Sequence, residues 1–95
     1  MFIIFLRFSN NRAQAAQFME GHNAWLKSGF ESGIFLLAGS LQPNAGGAIL
    51  VHNIDRESLD VFVQKDPFVA EGVVNAEIHE VTPGRVDERL VFLKR

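Results

Sequence analysis

Cysteine is absent from this sequence, which excludes disulfide bonds and metal sites built on thiolates. Basic residues are not in excess: nine Lys and Arg stand against eleven Asp and Glu, and the formal net charge is −2. Nucleic-acid binding needs several Lys or Arg side chains on one surface to neutralise phosphates, so we expect no nucleic-acid partner. The three histidines show no metal-site spacing such as His-x-His, and we expect neither a metal nor a bound cofactor.

Long apolar runs are also lacking. The apolar opening stretch, Met1–Phe8, spans eight residues and includes Arg7, which is too short for a membrane span. It has neither the basic leader nor the small-residue cleavage site of a signal peptide. These features predict a cytosolic (cytoplasmic) protein with no membrane partner.

The chain does contain enough apolar material for one small domain. Its 95 residues are 47% hydrophobic and include nine phenylalanines and one tryptophan. A chain of this size buries only about 60–65% of its unfolded surface, so we expect a second copy to cover a further apolar face.

Hydrophobic periodicity predicts six elements in the order β-α-β-β-α-β. The predicted strands are residues 2–8, 34–41, 48–53 and 73–81, and the predicted helices are residues 12–32 and 55–66. This order with short connections is typical of the ferredoxin-like α+β fold, an antiparallel sheet with both helices on one face. Because the strands are apolar on both faces, we expect the other face to pack against a second copy in a homodimer or higher oligomer.

Residues 1–82 account for this fold, and residues 83–95 form a C-terminal extension. Its first part, residues 84–89, is polar and is predicted to be a linker. The following apolar patch, Leu90–Leu93, would be an aggregation hazard in water. We therefore expect it to form a strand that pairs with a sheet edge, either its own or the partner's.

His22 lies at the centre of the apolar stripe of the first predicted helix. Phe18 and Leu26 lie four residues to either side and Trp25 lies three residues on, so the imidazole is directed inward. Two interpretations fit this position. His22 is either a core histidine bonded to a carbonyl or a general base whose burial is offset by a negative partner.

Three further polar residues each permit a structural and a functional interpretation. Asp66 followed by Pro67 is a good N-cap and first-position pair for a short helical turn, but it also supplies a carboxylate. Arg7, at the end of the first strand, either extends into solvent or binds an anion at a pocket mouth. Ser40, after Gly39, either ends a strand or offers its hydroxyl to a ligand.

Taken together, these residues resemble the YCII-related (YciI-like) family of small α+β proteins over about residues 1–82. The matching features are the apolar first strand, His22, Gly33, the strand end Ala38-Gly39-Ser40-Leu41, a Gly-rich hairpin, and Asp66-Pro67-Phe68 followed by Gly72. The resemblance implies a dimeric α+β barrel, in which two ferredoxin-like sheets pack face to face. It also implies a pocket whose active centre is a His–Asp pair, which by position would be His22 and Asp66. The family often has Gly-Pro where this chain has Gly39-Ser40, so the ligand need not be that of its relatives.

Some members of the family act on breakdown products of aromatic compounds, by lactone isomerisation or dehalogenation. We therefore hypothesise a small cofactor-free enzyme for isomerisation, elimination or lactone chemistry on a small carboxylate or aromatic-breakdown metabolite. Asp66 would orient His22, and His22 would transfer a proton. The predicted substrate contacts are Arg7, Trp25, Gly39, Ser40 and Phe68. The alternatives are a non-catalytic domain that binds a small ligand and a domain whose role is oligomerisation.

Overall fold

The structure is a computed structural model that describes residues 1–94 of the chain. The strands are β1 (Phe2–Phe8), β2 (Phe35–Leu41), β3 (Gly46–Val51) and β4 (Val74–Glu80). The helices are α1 (Ala15–Glu31), α2 (Arg56–Gln64) and α3 (Pro67–Ala70), and 3-10 helices occupy Arg12–Gln14 and Glu88–Lys94. No helix within residues 1–94 is long and apolar enough to cross a membrane.

The four strands form one antiparallel sheet in the order β2-β3-β1-β4. Strand β1 therefore lies at the centre of the sheet, between β3 and β4. Together with the element order, this arrangement confirms the predicted ferredoxin-like α+β fold. The near-continuous apolar sequence of β1 suits a central strand, which has a hydrogen-bonded neighbour at each edge and the helices over one face.

The two faces of the sheet differ in burial. On β1, Phe2, Ile4 and Leu6 are buried beneath the helices, whereas the alternating residues are partly or fully exposed. The strand registers extend this alternation across the sheet. We call the face away from the helices the open face; its side chains are those of Ile3, Phe5, Arg7, Leu37, Leu41, Ala48, Leu50, Asn75, Glu77 and His79.

Helix α1 lies close to the sheet because a glycine faces Phe35. A Cβ at position 29 would lie 2.7 Å from Cγ of the Phe35 ring and nearer still to two other ring atoms. Only glycine at position 29 therefore allows this close approach of the helix to the sheet. The helix ends as predicted at Gly33, whose φ of 80° is left-handed and favours glycine.

The start of the first helix differs from the prediction. Arg12–Gln14 is a 3-10 turn, and no side chain accepts a capping hydrogen bond at the start of that turn or of α1. Ser9 is occupied elsewhere: its hydroxyl donates to the carbonyl oxygen of Gly72, and its oxygen accepts the backbone N–H of Asn11 at 3.0 Å. Ser9 therefore joins the entry of the helix to the segment before β4, a long-range contact that local sequence does not reveal.

The C-terminal patch does not form the strand that we expected. Glu88–Lys94 is a 3-10 helix, and the Phe92 ring meets the His52 imidazole edge-on, with centroids 5.4 Å apart. A short run of consecutive apolar residues has no periodicity to distinguish helix from strand. Here the patch contacts its own chain at the end of β3, while Leu90 and Val91 remain exposed.

Helix α2 begins at an aspartate cap, which gives a pH-dependent prediction. The Asp55 carboxylate accepts the backbone N–H of Ser58 at 2.8 Å, and this bond lowers the pKa of Asp55. A lowered folded-state pKa stabilises the fold above the ordinary Asp pKa of about 3.9, and this stabilisation is lost as the pH falls through the folded-state value. Asp55→Ala should therefore lower the Tm at neutral pH, and its difference from wild type should shrink on acidification.

The matched control for this prediction is Asp60→Ala on the same helix. Asp60 forms an exposed i,i+4 pair with Arg56 at 3.0 Å and caps nothing, so its loss should change the Tm little. Thermal unfolding followed by circular dichroism at several pH values measures both variants. A Tm difference for Asp55→Ala that persisted unchanged at low pH would contradict the assigned cap.

Candidate active site

A cleft opens between α1 and the helix-facing side of the sheet, near the β2–β3 hairpin. Its volume is about 370 Å³, which suits one small organic molecule. The sheet supplies the floor, α1 one wall, and α3 and the hairpin the rim. The lining residues are Leu6, Phe8, Met19, His22, Asn23, Leu26, Ala38, Gly39, Ser40, Asn44, Gly46, Gly47, Ala48, Ile49, Phe68 and Val74.

His22 presents its imidazole at the wall of this cleft. Its Nδ1 lies 2.9 Å from Oδ1 of Asp66, within hydrogen-bond distance, and its side chain is 13% exposed. The ring of Phe68 stacks on the imidazole with centroids 4.0 Å apart and planes 5° apart. One hydrogen bond and one stacked ring therefore fix both the direction and the plane of the imidazole.

Asp66 is the negative partner that the second interpretation of His22, as a general base, requires. Its side chain is fully buried, and its Oδ1 also accepts the backbone N–H of Phe68 at 3.0 Å as the N-cap of α3. An ionised carboxylate can only accept hydrogen bonds, so the proton of the His22–Asp66 bond belongs to Nδ1 of the imidazole. This assignment leaves Nε2, the opposite ring nitrogen, as the proton-accepting atom of neutral His22.

The second oxygen of Asp66 is unusual. Within the part of the chain that the structure describes, Oδ2 has no hydrogen-bond partner although it is buried. Buried polar atoms are nearly always paired, and the exceptions concentrate at functional sites or mark bound water. The carboxylate is thus held by Oδ1 alone, through two donors from α1 and α3.

Close packing of α1 and α3 brings the pair together. A Cβ at position 21 would lie 2.9 Å from Cγ of Pro67, so Gly21 allows the helices to approach where any larger residue would separate them. His22 follows Gly21, and Asp66 precedes Pro67. The contact between Gly21 and Pro67 therefore sets the distance between His22 and Asp66, because each polar residue is next in sequence to one of these two.

Three of the predicted substrate contacts line the cleft. These are Phe68, Gly39 and Ser40, and the last two come from the end of β2. Ser40 is exposed, and its hydroxyl makes no hydrogen bond to the residues that the structure describes, so it is available to a ligand. This chain has Ser40 where the family often has proline, and the serine adds a hydroxyl to the cleft.

Two predicted substrate contacts lie elsewhere. Trp25 is core: its indole N–H donates to the carbonyl oxygen of Phe62 at 2.9 Å, and its ring packs edge-on against Phe35. Arg7 is on the open face, where its Nε donates to Glu77 at 2.8 Å. That bond, with a smaller contribution from His79, lowers the pKa of Glu77. Strand alternation put Arg7 on the face of β1 opposite that of Phe2, Ile4 and Leu6. It did not indicate which of the two faces would hold the cleft.

Sequence reasoning missed two polar residues of the cleft, Asn23 and Asn44. Asn23 is exposed on α1 next to His22, and Asn44 lies in the hairpin turn with a φ of 49°. Asparagine is common in turns and tolerates the left-handed region, so Asn44 gave only a turn signal. The missing information was tertiary: the hairpin folds back toward the start of α1, where Arg12 donates to the Asn44 carbonyl at 3.1 Å.

Comparison with solved structures finds the same fold in an enzyme. Over 88% of this chain and 96% of the other, the structure superimposes with a TM-score of 0.69 on a dehydrochlorinase, at 14% sequence identity. That protein is 5-chloro-2-hydroxyhydroquinone dehydrochlorinase (TftG) from Burkholderia phenoliruptrix AC1100, in complex with 2,5-dihydroxybenzoquinone. At this identity the likeness establishes the fold alone.

Comparison with curated proteins finds no match to this chain. A family model does match: the YCII-related domain aligns with residues 1–83, which include both members of the His22–Asp66 pair. The resemblance drawn from the first strand, the hairpin and the Asp-Pro-Phe segment is therefore confirmed. This chain belongs to the family of YCII-related domains.

Proposed function

We propose that the protein is a small enzyme that transfers a proton next to a carbonyl group, in an isomerisation, an elimination or a lactone rearrangement. The observation that carries the proposal is the 2.9 Å hydrogen bond between His22 and a fully buried Asp66 at the wall of an open cleft. A histidine fixed in this way by a carboxylate is the arrangement that general acid–base catalysis requires.

The proposed reaction begins with Nε2 of His22 taking a proton from the carbon beside the carbonyl. The electron pair of that C–H bond moves onto the carbonyl oxygen, which becomes an enolate. The imidazolium that forms is stabilised by the Asp66 carboxylate on its other nitrogen, 2.9 Å away. In this proposal the enolate oxygen accepts hydrogen bonds from donors that line the cleft, the Ser40 hydroxyl and the Asn23 amide.

Two outcomes follow from the same enolate. In isomerisation, His22 returns the proton to a different carbon of the substrate. In elimination, the enolate electrons expel a leaving group from the neighbouring carbon, and the proton remains on His22 until solvent removes it. Both outcomes use only groups of the chain, so we propose that no cofactor is needed.

The likeness to TftG supports a small-molecule substrate. Its name describes the removal of hydrogen chloride, an elimination, and its structure holds a dihydroxybenzoquinone. The identity of 14% is too low for its substrate to be transferred, and the proposal here extends to the reaction class alone.

Proton exchange tests this function whichever product the reaction forms. Small cyclic ketones, lactones and hydroxylated ring compounds would be incubated with the protein in D₂O, and loss of C–H signals would be followed by proton NMR. We expect enzyme-dependent exchange or conversion of at least one compound class. A compound that binds in the cleft, together with no exchange across the panel, would favour the alternative of a non-catalytic ligand-binding domain.

We also propose that the protein acts as a homodimer whose sheets pack through the open face. This face carries the apolar side chains of Ile3, Phe5, Leu37 and Leu50, and Leu37 is 54% exposed in the single chain. A face of this kind in water favours association with a second copy. The cleft lies on the other side of the sheet and so remains open in such a dimer.

Leu37→Glu should convert the dimer to a monomer, because two copies of a carboxylate would be buried without a partner in the interface. The matched control is Val61→Glu, since Val61 is 60% exposed on the outer side of α2. Light scattering coupled to size exclusion measures the mass. We expect twice the chain mass of 10.6 kDa for wild type and for the control, and the single chain mass for Leu37→Glu. A wild-type monomer would overturn the proposed dimer.

A further inference from the structure

We infer that the cleft selects uncharged, ring-sized ligands and discriminates against carboxylates. The inference rests on the proposed site but concerns the charge of the ligand, which the reaction class leaves open. It departs from the sequence-based expectation of a small carboxylate substrate, for which Arg7 and Ser40 were among the predicted contacts. Four observations lead to it: the lining, the positions of two arginines, the charge of Asp66 and the polar groups that remain.

The first observation is the lining of the cleft. Of the described residues that form it, none is Lys or Arg, and the only titratable side chain is that of His22. Most of the others are apolar, including Leu6, Leu26 and Ile49. A carboxylate that enters this space loses its water and gains no cation in return, which is strongly unfavourable.

Neither of the two arginines nearest in sequence to the cleft floor belongs to the cleft lining. Arg7 lies on the open face, paired with Glu77 at 2.8 Å. Arg12 lies outside the lining: its guanidinium is 4.4 Å from the centroid of the Phe8 ring and donates to the backbone carbonyl of Asn44 at 3.1 Å. A stacked and hydrogen-bonded guanidinium of this kind holds the hairpin near the start of α1. Its role in the fold is that of a brace at the cleft mouth.

The buried group that pairs with His22 is a carboxyl group and not a cation. Asp66 is fully buried, and its one ionisable partner is His22. If His22 gains a proton, that positive charge is balanced by the carboxylate 2.9 Å away, so no net positive charge is available to an anionic ligand. If His22 stays neutral, a carboxylate bound on one side of the imidazole ring would be repelled by the Asp66 carboxylate on the other side.

The remaining polar groups suit neutral oxygens. Asn23 comes from α1 and Ser40 from β2, and both side chains can donate to a hydroxyl, a carbonyl or an amide oxygen and can accept from a hydroxyl or an amide N–H. Apolar walls on Phe8 and Phe68 complement a flat ring, and a volume of about 370 Å³ accommodates one ring with small substituents. The cleft therefore matches a hydroxylated or carbonyl-bearing ring without a free acid.

The test compares two ligands of the same shape and different charge, para-hydroxybenzamide and para-hydroxybenzoate. At neutral pH the first is uncharged and the second carries a carboxylate. Each would be titrated into the full-length protein, and backbone amide shifts would be followed by NMR at Asn23, Gly39 and Ser40. We expect the amide to bind in the cleft at least about tenfold more tightly than the benzoate. Equal or tighter binding of the benzoate overturns the inference, and so does the absence of cleft binding by the amide at millimolar concentration.

Two variants identify the cause of the discrimination. Ser40→Lys places a cation at the cleft wall, and we expect it to raise the affinity for benzoate and to reduce or reverse the preference. Arg12→Gln should leave the ratio of affinities unchanged, because Arg12 braces the hairpin and does not hold anions. An unchanged ratio in Ser40→Lys, or a clear loss of benzoate affinity in Arg12→Gln, contradicts the inference.

These measurements do not depend on turnover. A preference for the amide without any proton exchange in D₂O would remove the proposed reaction and leave the charge selection in place. Proton exchange of substrates that carry carboxylates, with benzoate preferred in the titration, would support the reaction and remove the charge selection. The two proposals therefore fail separately.

Discussion

Replacing Asp66 with Asn should lower kcat by roughly 10²–10⁴-fold, the usual contribution of general acid–base catalysis. The amide oxygen of Asn can still accept the Phe68 backbone N–H, and Asn is as good an N-cap as Asp, so α3 should keep its start. What is lost is the negative charge that stabilises the imidazolium of His22. The expected result is a folded protein with a bound substrate and little turnover.

Because Asp66 acts through His22, its test needs a readout that a purely structural role would not change. Nitrogen-15 NMR of the imidazole reports which ring nitrogen carries the proton. In the wild type we expect the proton of neutral His22 on Nδ1, and in Asp66→Asn a weaker preference for that tautomer. The matched control is Asp55→Asn, the same change at the N-cap of α2, outside the cleft lining. Full kcat in Asp66→Asn would exclude the proposed role of the carboxylate.

Replacing Gly46 with Ala should destabilise the protein by on the order of 2–6 kcal/mol, which combines backbone strain with overpacking. Gly46 begins β3 with a φ of 129°, a value that L side chains rarely adopt. A Cβ there would overlap the carbonyl oxygen of Leu6 and lie 2.9 Å from its carbonyl carbon. These atoms belong to β1, the central strand, and cannot move without opening the β1–β3 pairing.

The matched control is Gly39→Ala on the adjacent strand. A Cβ at position 39 would meet no atom within 4 Å, and its φ is not positive, so we expect only a small change in stability. Urea unfolding followed by circular dichroism measures the free energy of unfolding of both variants. Since small domains have a net stability of only about 5–15 kcal/mol, Gly46→Ala should lose a large share of the free energy of unfolding. Equal stabilities of the two variants would contradict the steric explanation.

The fold could be predicted because its signals are local and mutually consistent. The apolar run of β1, the apolar stripe of α1 and the Asp66-Pro67 cap signal each agree with one element order. By contrast, the strand expected at Leu90–Leu93 was wrong, because four consecutive apolar residues have no period and their contacts are long-range.

The candidate site could be predicted only in part. Periodicity directed His22 inward but did not name its partner, and it was the resemblance to a family that paired it with Asp66. The structure brings the two within 2.9 Å, and the catalytic role of the pair remains a proposal. Arg7 lies away from the cleft because a one-dimensional pattern tells which side chains share a face, not which face bears the cleft. Trp25 shares the inner stripe of α1 with His22 but is packed in the core against Phe35.

The most direct test of the central claim is the turnover of His22→Ala measured beside that of His79→Ala. His79 is an exposed histidine on the open face, so its replacement removes the same side chain away from the cleft. With any compound that undergoes exchange in D₂O, the account predicts at least about a 100-fold loss for His22→Ala and wild-type turnover for His79→Ala. Wild-type turnover by a folded His22→Ala variant would contradict it.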